Sequence, residues 1–294
     1  MKLLLIINPK AGQNKGLKTA EYASRYLESK NCKPEIVISK YSGHAVEIAK
    51  NCDIAQYQGI IAVGGDGTLF EVINGLLKAH DEINIPIGQV PVGTGNSFIK
   101  DLNINSPETA LQKIVDKNTK KIDVGFFKCP EHEFYFINLL GLGFVSNVAQ
   151  RAKKYKSLGA LSYIIGVIGE LIHLKAHHIE LTIDNKVYHR ENIFVEICNS
   201  TKTGGDMIMA PEAKIDDGLF DVILLNKLSH FKLLTTFPKI FKGTHVLIPE
   251  VETFKGRYIK AVTSEPKILT PDGEIIGTTP IEVKMLPHKI SMFC

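Results

Sequence analysis

Two hydrophobic periods divide the first 125 residues, and their alternation constrains the fold more than any other feature. Apolar runs of strand length are predicted at residues 3–7, 35–38, 59–63 and 85–90. Between and after them, residues 17–29, 45–50, 69–79 and 108–117 place apolar side chains at helical intervals, as Leu69, Val72, Ile73, Leu76 and Leu77 do. Strand–helix alternation predicts a mostly parallel sheet with helices on both faces, the α/β class. After about Asp123 the texture changes. Short runs at 133–138, 179–183, 186–189, 193–199, 220–225, 258–262, 267–269 and 281–285 are separated by turn residues such as Asp184-Asn185, Asp217-Gly218 and Pro271-Asp272-Gly273. Segments 158–175 and 228–241 are helical in pattern. The expectation is two domains, 1–125 of α/β type and 126–294 mostly antiparallel β with two helices. The last few residues could pack back onto the first domain.

The 294 residues are 44% hydrophobic, enough for sizeable cores and too apolar for a disordered or collagen-like chain. No apolar run approaches the roughly 18 residues of a membrane span. The opening Met1-Lys2-Leu3-Leu4-Leu5-Ile6-Ile7 is too short for a secretory core and reads as a buried strand. Five widely spaced cysteines (Cys32, Cys52, Cys129, Cys198 and Cys294) argue against a disulfide framework or a zinc site and fit a reducing cytoplasm.

The sharpest motif is Gly64-Gly65-Asp66-Gly67-Thr68-Leu69, between a predicted strand and a predicted helix. Glycines let backbone N–H groups approach an anion, and the helix N-terminus that follows adds a positive dipole. Asp66 among them suits a magnesium ion held against phosphates. Pro91-Val92-Gly93-Thr94-Gly95-Asn96-Ser97 and Asn8-Pro9-Lys10-Ala11-Gly12 follow two other predicted strands. Each alone is as readily a plain turn; at the carboxyl edge of one sheet, together, they predict one nucleotide site. Residues 12–19 miss the P-loop spacing, and no GxGxxG follows a strand, so dinucleotide oxidoreduction has no support. Thr270-Pro271-Asp272-Gly273-Glu274 is either a hairpin turn or a turn carrying a general base, Glu274. Lys214-Ile215-Asp216-Asp217-Gly218-Leu219 is either a turn or a hard-cation loop using Asp217. His173 and His177, at i and i+4, lack a third ligand and read as a solvated helix end.

Taken together these residues resemble the diacylglycerol-kinase catalytic family, which includes bacterial lipid kinases and the sphingosine and ceramide kinases. The likeness runs through Asn8-Pro9 and Gly12, Gly64 to Leu69 with Glu71-Val72, Pro91 to Asn96, Asn138 to Phe144, and Lys154 to Gly159 with Tyr163. It continues in Asn199, Gly204-Gly205, Ala210 to Lys214, Asp217 to Asp221, and Asp272 to Glu274 with Pro280. The Gly-Gly-Asp-Gly-Thr stretch is shared with NAD kinases and phosphofructokinases; the later motifs are the specific ones.

The resemblance implies a Rossmann-like nucleotide domain, a β-sandwich-like second domain, and ATP bound between them. On matching positions Asn8, Pro9, Lys10, Ala11, Gly12, Ser39, Gly65, Asp66, Gly67, Thr68, Leu69, Phe70, Glu71 and Thr94 would line the nucleotide. Glu274 would be the proton acceptor, with Asp272 beside it and Asp66 at the phosphates. Asp217 and the carbonyls of Lys214 and Leu219 match a structural magnesium site. Departures fall at Ala11, Phe70, Ser97, Val145 and Asn147, where the family commonly carries Ser, Asn, Asp, Asp and, in sphingosine kinases, an acid. They bear on the substrate more than on the chemistry. The implied activity is transfer of the ATP γ-phosphoryl group to a lipid hydroxyl, with diacylglycerol or a related glycerolipid expected. A sphingoid-base kinase, an NAD kinase-like enzyme and a silent lipid-binding relative are the alternatives.

The net charge is only +4, yet residues 151–190 and 227–242 each carry +4, leaving the remainder at −4. Basic amphipathic segments suit peripheral, transient contact with an anionic bilayer, or else simply cover the sheet. The basic residues accompany aliphatics without a stacking pattern, so nucleic acid is not an expected partner. A homodimer is left open.

Overall fold

Five consecutive apolar residues make β1 (Lys2–Ile7) a strand buried along nearly its whole length. The structure, a computed structural model, describes residues 1–93, 95–153, 161–171 and 174–294. It divides into two compact units, Met1–Asp123 with His288–Cys294, and Val124–Pro287.

In the first unit β1 is followed by α1 (Ala11–Asn14), a tight turn in which Gly12, Gln13 and Asn14 take positive φ. Next come α2 (Gly16–Ser29), β2 (Lys33–Ile38), α3 (His44–Asn51), β3 (Ile60–Gly64), α4 (Asp66–Ala79), β4 (Ile87–Pro91) and α5 (Pro107–Asp116). The order β2-β1-β3-β4 is parallel throughout, and Met292 pairs in parallel with Ile87 of β4. Ala20, Ala23 and Leu27 turn the inner face of α2 to the core, as the period predicts. Ser106 caps α5 by accepting the Thr109 N–H at 3.2 Å, with Pro107 in the first turn where no N–H is needed.

The second unit is antiparallel. Its strands are β5 (Thr119–Lys128, which begins in the first unit), β6 (Glu133–Phe136), β7 (Leu139–Gly143), β8 (His177–Ile183), β9 (Lys186–Cys198), β10 (Lys202–Thr203), β11 (Met207–Ile208) and β12 (Phe220–Asn226). They continue as β13 (Val251–Gly256), β14 (Tyr258–Thr263), β15 (Leu269–Pro271) and β16 (Ile281–Phe293), whose last residues belong to the first unit. The order is β13-β12-β9-β8-β14-β16, with β7 on the far half of β9 and β15 on β7. One apolar cluster gathers Phe127, Phe136, Leu140, Val195, Ile197 and Phe220, with further residues of β8, β14 and β16. A second, including Phe144, Val148, Phe194, Met207 and Leu233, lies under α6 (Phe144–Lys153) and α8 (His230–Thr236). α7 (Leu161–Leu171) packs on α6, so closely that a Cβ on Gly166 would stand 2.8 Å from the Val148 carbonyl.

Three differences from the sequence reading are informative. Residues 186–198 form one strand, where two runs were predicted, because the polar stretch Arg190 to Asn192 pairs with His177 to Ile179 of β8 through its backbone. The segment expected as a helix at 228–241 is split, α8 giving way at Pro238 to a 3-10 turn, Phe237–Lys242. Strand β7 and a third helix, α6, which follows it, fall where the hydrophobic pattern predicts no element. Thr94, Lys154 to Gly159 and His173 lie outside the described residues. All five cysteines are free thiols, and among the described residues no helix is long and apolar enough to cross a membrane.

Candidate active site

Three glycine turns meet at one end of the parallel sheet. β3 ends at Gly64, and α4 starts at Asp66 after the extended Gly65. A Cβ on Gly64 would stand 2.3 Å from Thr68 Oγ1, so only glycine lets the helix begin so soon after the strand. The first turn packs backbone against backbone on the third: a Cβ on Gly12 would meet the Gly93 nitrogen at 2.9 Å. Asn8 ties the first turn to the second, its Nδ2 donating to Thr68 Oγ1 at 3.2 Å, while its Oδ1 accepts the Lys10 N–H at 3.1 Å. Buried Gln89 ties the second to the third: its Nε2 lies 3.1 Å from both the Gly64 carbonyl and Asn96 Oδ1. Asn96 Nδ2 closes its own turn on the Gly93 carbonyl at 3.1 Å.

Asp66 faces this junction. Its Oδ2 accepts the Ser97 N–H at 3.0 Å, whereas Oδ1 is buried and has no hydrogen-bond partner among the described residues. Burial pushes the carboxyl above the usual carboxylate range, countered by the N–H groups of Ser97, Phe98 and Asn96 and by the Lys100 ammonium. A buried oxygen without a partner at a helix N-terminus is a place for a cation or for a ligand that carries one.

The other nucleotide candidates divide by environment. Lys10 is exposed and Pro9, Ala11, Gly65 and Gly67 are half-buried. Thr68, in the first turn of α4, and Ser39, just after β2, are buried. Leu69 and Phe70 are 1% and 5% exposed, core side chains of α4 whose presence in the motif serves packing. Glu71 accepts the Gly43 N–H at 2.9 Å and the Ala45 N–H at 3.2 Å, fixing the loop that starts α3.

In the second unit Asp272 takes positive φ in the turn after β15. Its carboxylate accepts three backbone N–H groups: Ile137 at 3.1 Å on Oδ2, and Asn138 at 2.9 Å and Leu139 at 3.1 Å on Oδ1. The Leu139 carbonyl accepts the Asp272 N–H at 2.8 Å. Asn199 supports the same loop through Nδ2 to the Ile137 carbonyl at 2.7 Å, and Ser200 donates to Asn138 Oδ1. A carboxylate so occupied positions the turn; Glu274, half-buried and two residues on, is the group that the turn presents. In the Lys214 to Leu219 loop, Asp217 Oδ1 accepts the Leu219 N–H at 3.1 Å and Oδ2 lies 4.0 Å from the Lys255 ammonium. Lys255 also reaches Asp221 at 3.2 Å. Among the described residues no group of three or more His, Cys, Asp or Glu side chains is arranged to hold a metal.

Comparison with known proteins gives these turns a setting. Residues 2–127 match the diacylglycerol kinase catalytic domain, and residues 139–294 match the YegS C-terminal NAD kinase beta sandwich-like domain. The chain belongs to the diacylglycerol kinase catalytic family. Among relatives, it is 30% identical to sphingosine kinase 1 of Arabidopsis thaliana over 93% of this chain and 66% of that protein. It is 27% identical to diacylglycerol kinase of Bacillus subtilis over 95% of this chain and 91% of that one. A crystal structure from Bacillus anthracis, assigned as a diacylglycerol kinase, superposes with a TM-score of 0.83 at 26% identity, covering 99% and 96% of the two chains. This is a family of lipid kinases, with an α/β domain carrying parallel strands and a β-sandwich-like one.

Gln89 and Ser146 belong to these sites but were not singled out in the sequence, and Thr270 was named only as the first residue of the turn motif. Gln89 is an ordinary strand residue by pattern, and its two contacts become visible only once β4 lies beside β3. Ser146 and Thr270, both buried, meet at 3.1 Å although 124 residues apart.

Proposed function

We propose that the protein transfers the γ-phosphoryl group of ATP to a hydroxyl of diacylglycerol or a related glycerolipid. The observation that carries phosphotransfer is the unpartnered Asp66 Oδ1 at the meeting point of three glycine turns. Magnesium fits there, since this ion commonly takes one or two protein carboxylate oxygens and completes its shell with phosphate oxygens and water. Bound at Asp66, it would neutralise charge on the phosphates. Asn8 and Gly12 shape the turn against which the phosphates lie, and the N-terminus of α4 points its free N–H groups at them. Glu274 accepts the hydroxyl proton as the oxygen attacks the γ-phosphorus and the bond to the bridging oxygen of ADP breaks. Asp272 holds the turn that carries Glu274. The Lys214, Asp217 and Leu219 loop fits a second magnesium ion less well, because the Lys255 ammonium already faces Asp217.

A lipid kinase works at a membrane surface, and a cytoplasmic, peripheral protein is the corresponding proposal. Phe231 and Leu247 are 76% and 79% exposed, with Leu234, Phe241, Lys239 and Lys242 also exposed nearby in the chain. Leu233 and Ile240 of the same segment are buried, and Lys227 and Lys232 pair with Glu191 and Glu250. The segment therefore both covers the sheet and offers an apolar, basic outer face.

The test is ATP-dependent phosphorylation in mixed micelles offering diacylglycerol, monoacylglycerol, sphingosine, ceramide and phosphatidylglycerol, with NAD as a soluble control. A phosphorylated glycerolipid is expected as the dominant product. Dominant sphingosine phosphate would establish the second reading, which the Arabidopsis relative favours and the neutral Asn147 does not. ATP binding without turnover on any acceptor would leave a silent relative.

A further inference from the structure

Glu196 is a buried carboxyl that neither fold nor phosphotransfer explains. β9 alternates faces: Val195 and Ile197 enter the first apolar cluster, Phe194 and Cys198 the second, and Glu196 stands between the latter two at 4% exposure. Its Oε2 has no hydrogen-bond partner among the described residues. The residue opposite on β7 is Gly141, where a Cβ would stand 3.0 Å from both carboxyl oxygens and 2.9 Å from Val145 Cγ2. The glycine clears the space that the carboxyl occupies. Burial alone pushes this carboxyl up to about 8, so at neutral pH it is an uncharged acid with an O–H to donate. Leaving such a group unpaired in apolar surroundings is costly, and an aliphatic side chain would satisfy the strand pattern without that cost.

Its neighbours give the carboxyl a direction. Thr270 of β15 pairs with Gly141 of β7, which pairs with Glu196 of β9, so the three form one row across adjacent strands. Residues directly opposite on antiparallel strands project from the same face. Thr270 and Ser146 hydroxyls both donate to the Gly141 carbonyl, at 3.2 and 3.0 Å, and so do not engage Glu196 through it. Two strand spacings, roughly 10 Å, separate Glu196 from Thr270, the strand that leads directly into Asp272 and Glu274. Glu196, flanked by Phe194 and Cys198 of the second apolar cluster, thus lies two strands across from the start of the proposed base-bearing turn. In an acylated lipid the ester carbonyl lies in the corresponding place, between the reacting hydroxyl and the hydrocarbon.

We propose that Glu196 is a specificity-determining residue whose carboxyl O–H donates a hydrogen bond to an acyl carbonyl of the lipid substrate. This rests on the lipid-kinase reading above. A carbonyl fits better than an amine, because an ammonium–carboxylate pair would strand two charges among Phe194, Cys198 and Val145 without further hydrogen bonds.

The experiment compares a 1,2-diacylglycerol with its dialkyl ether analogue, which lacks the carbonyls, as acceptors in mixed micelles at pH 7. Wild-type protein is expected to favour the ester in kcat/KM by roughly tenfold, the worth of one buried hydrogen bond. Glu196→Leu brings the ratio near one, and Glu196→Gln, which keeps an N–H donor, retains most of it. Raising the pH from 7 to 9 lowers the wild-type ratio as the acid ionises and leaves that of Glu196→Gln flat. Other titratable or charged groups on the elements packed against β9 are His177, His178 and Glu180 on β8, Asp221 on β12, and Arg151 and Lys153 on α6. β7 has none, His177 is held neutral with its value lowered to about 4, and Cys198 on β9 itself stays a thiol. An unchanged ester-to-ether ratio in Glu196→Leu, or equal use of both lipids by wild type, overturns the role of Glu196. Absence of phosphorylated product from either lipid with wild type overturns the glycerolipid-kinase reading instead.

Discussion

Asp66 and Asp272 occupy comparable turns, each at the end of a strand and beside a glycine, yet their carboxylates are engaged in opposite ways. Asp272 offers both oxygens to three backbone N–H groups, two on one oxygen and one on the other. Asp66 bonds the Ser97 N–H through one oxygen and leaves the other buried without a hydrogen bond among the described residues. A carboxylate saturated by its own backbone has its job inside the fold. One with a buried free oxygen is complete only when something else binds. The same residue type in similar local sequence is therefore saturated by backbone in the second unit and left with an unpartnered oxygen in the first, where we propose the phosphate-bound cation sits.

The largest effect that could break this contrast is on turnover. Asp66→Asn should lower kcat by roughly 10²–10³-fold, the loss expected when one preorganised electrostatic partner is removed. Calorimetry should show its stability little changed or raised, because the substitution removes a charge that burial penalises. A large loss of stability would give Asp66 the structural role assigned to Asp272. Next, Glu274→Ala should reduce turnover by roughly 10²-fold while ATP affinity, measured by titration calorimetry, persists. Near-normal turnover would remove Glu274 as base.

Asp272→Asn should act the other way round. It replaces an acceptor-only group by one that turns an N–H toward buried donors, at a cost of about 2 kcal/mol in chemical denaturation, with ATP affinity intact. The last effect is a slope, read between variants and not in absolute stability. Glu196 has a folded value near 8 against an ordinary 4.5, so its contribution to stability is full below about 4.5 and lost as pH rises toward 8. Glu196→Gln should flatten that part of the stability–pH curve; an identical slope in the variant would mean that the carboxyl is not buried in its acid form.

Much of the first unit was legible because its strands and helices carry their own hydrophobic periods. α4 was expected to start at Leu69 but starts at Asp66, since Asp66, Gly67 and Thr68 are helical without being apolar. In the second unit, periodicity stopped wherever polar residues continued a strand. Arg190 to Asn192 hold β9 together through backbone pairing with β8, a partner that no local pattern names. Of the candidate site, Asp66 and the glycines stood out by composition. Leu69 and Phe70 came along with the motif although their side chains belong to the core.

The amino-acid sequence by itself determined the order of elements in the first unit, the three glycine turns and the family, because periodicity and glycine chemistry are local properties. Whether a carboxylate is satisfied is a property of its surroundings. Only the tertiary structure decided that Asp272 is saturated by Ile137, Asn138 and Leu139, more than 130 positions earlier, while Asp66 is not. The same holds for Glu196, an unremarkable strand residue until Gly141 is laid against it. Hydrogen bonding and burial depend on what the chain brings close, and that distance is set by the packed fold.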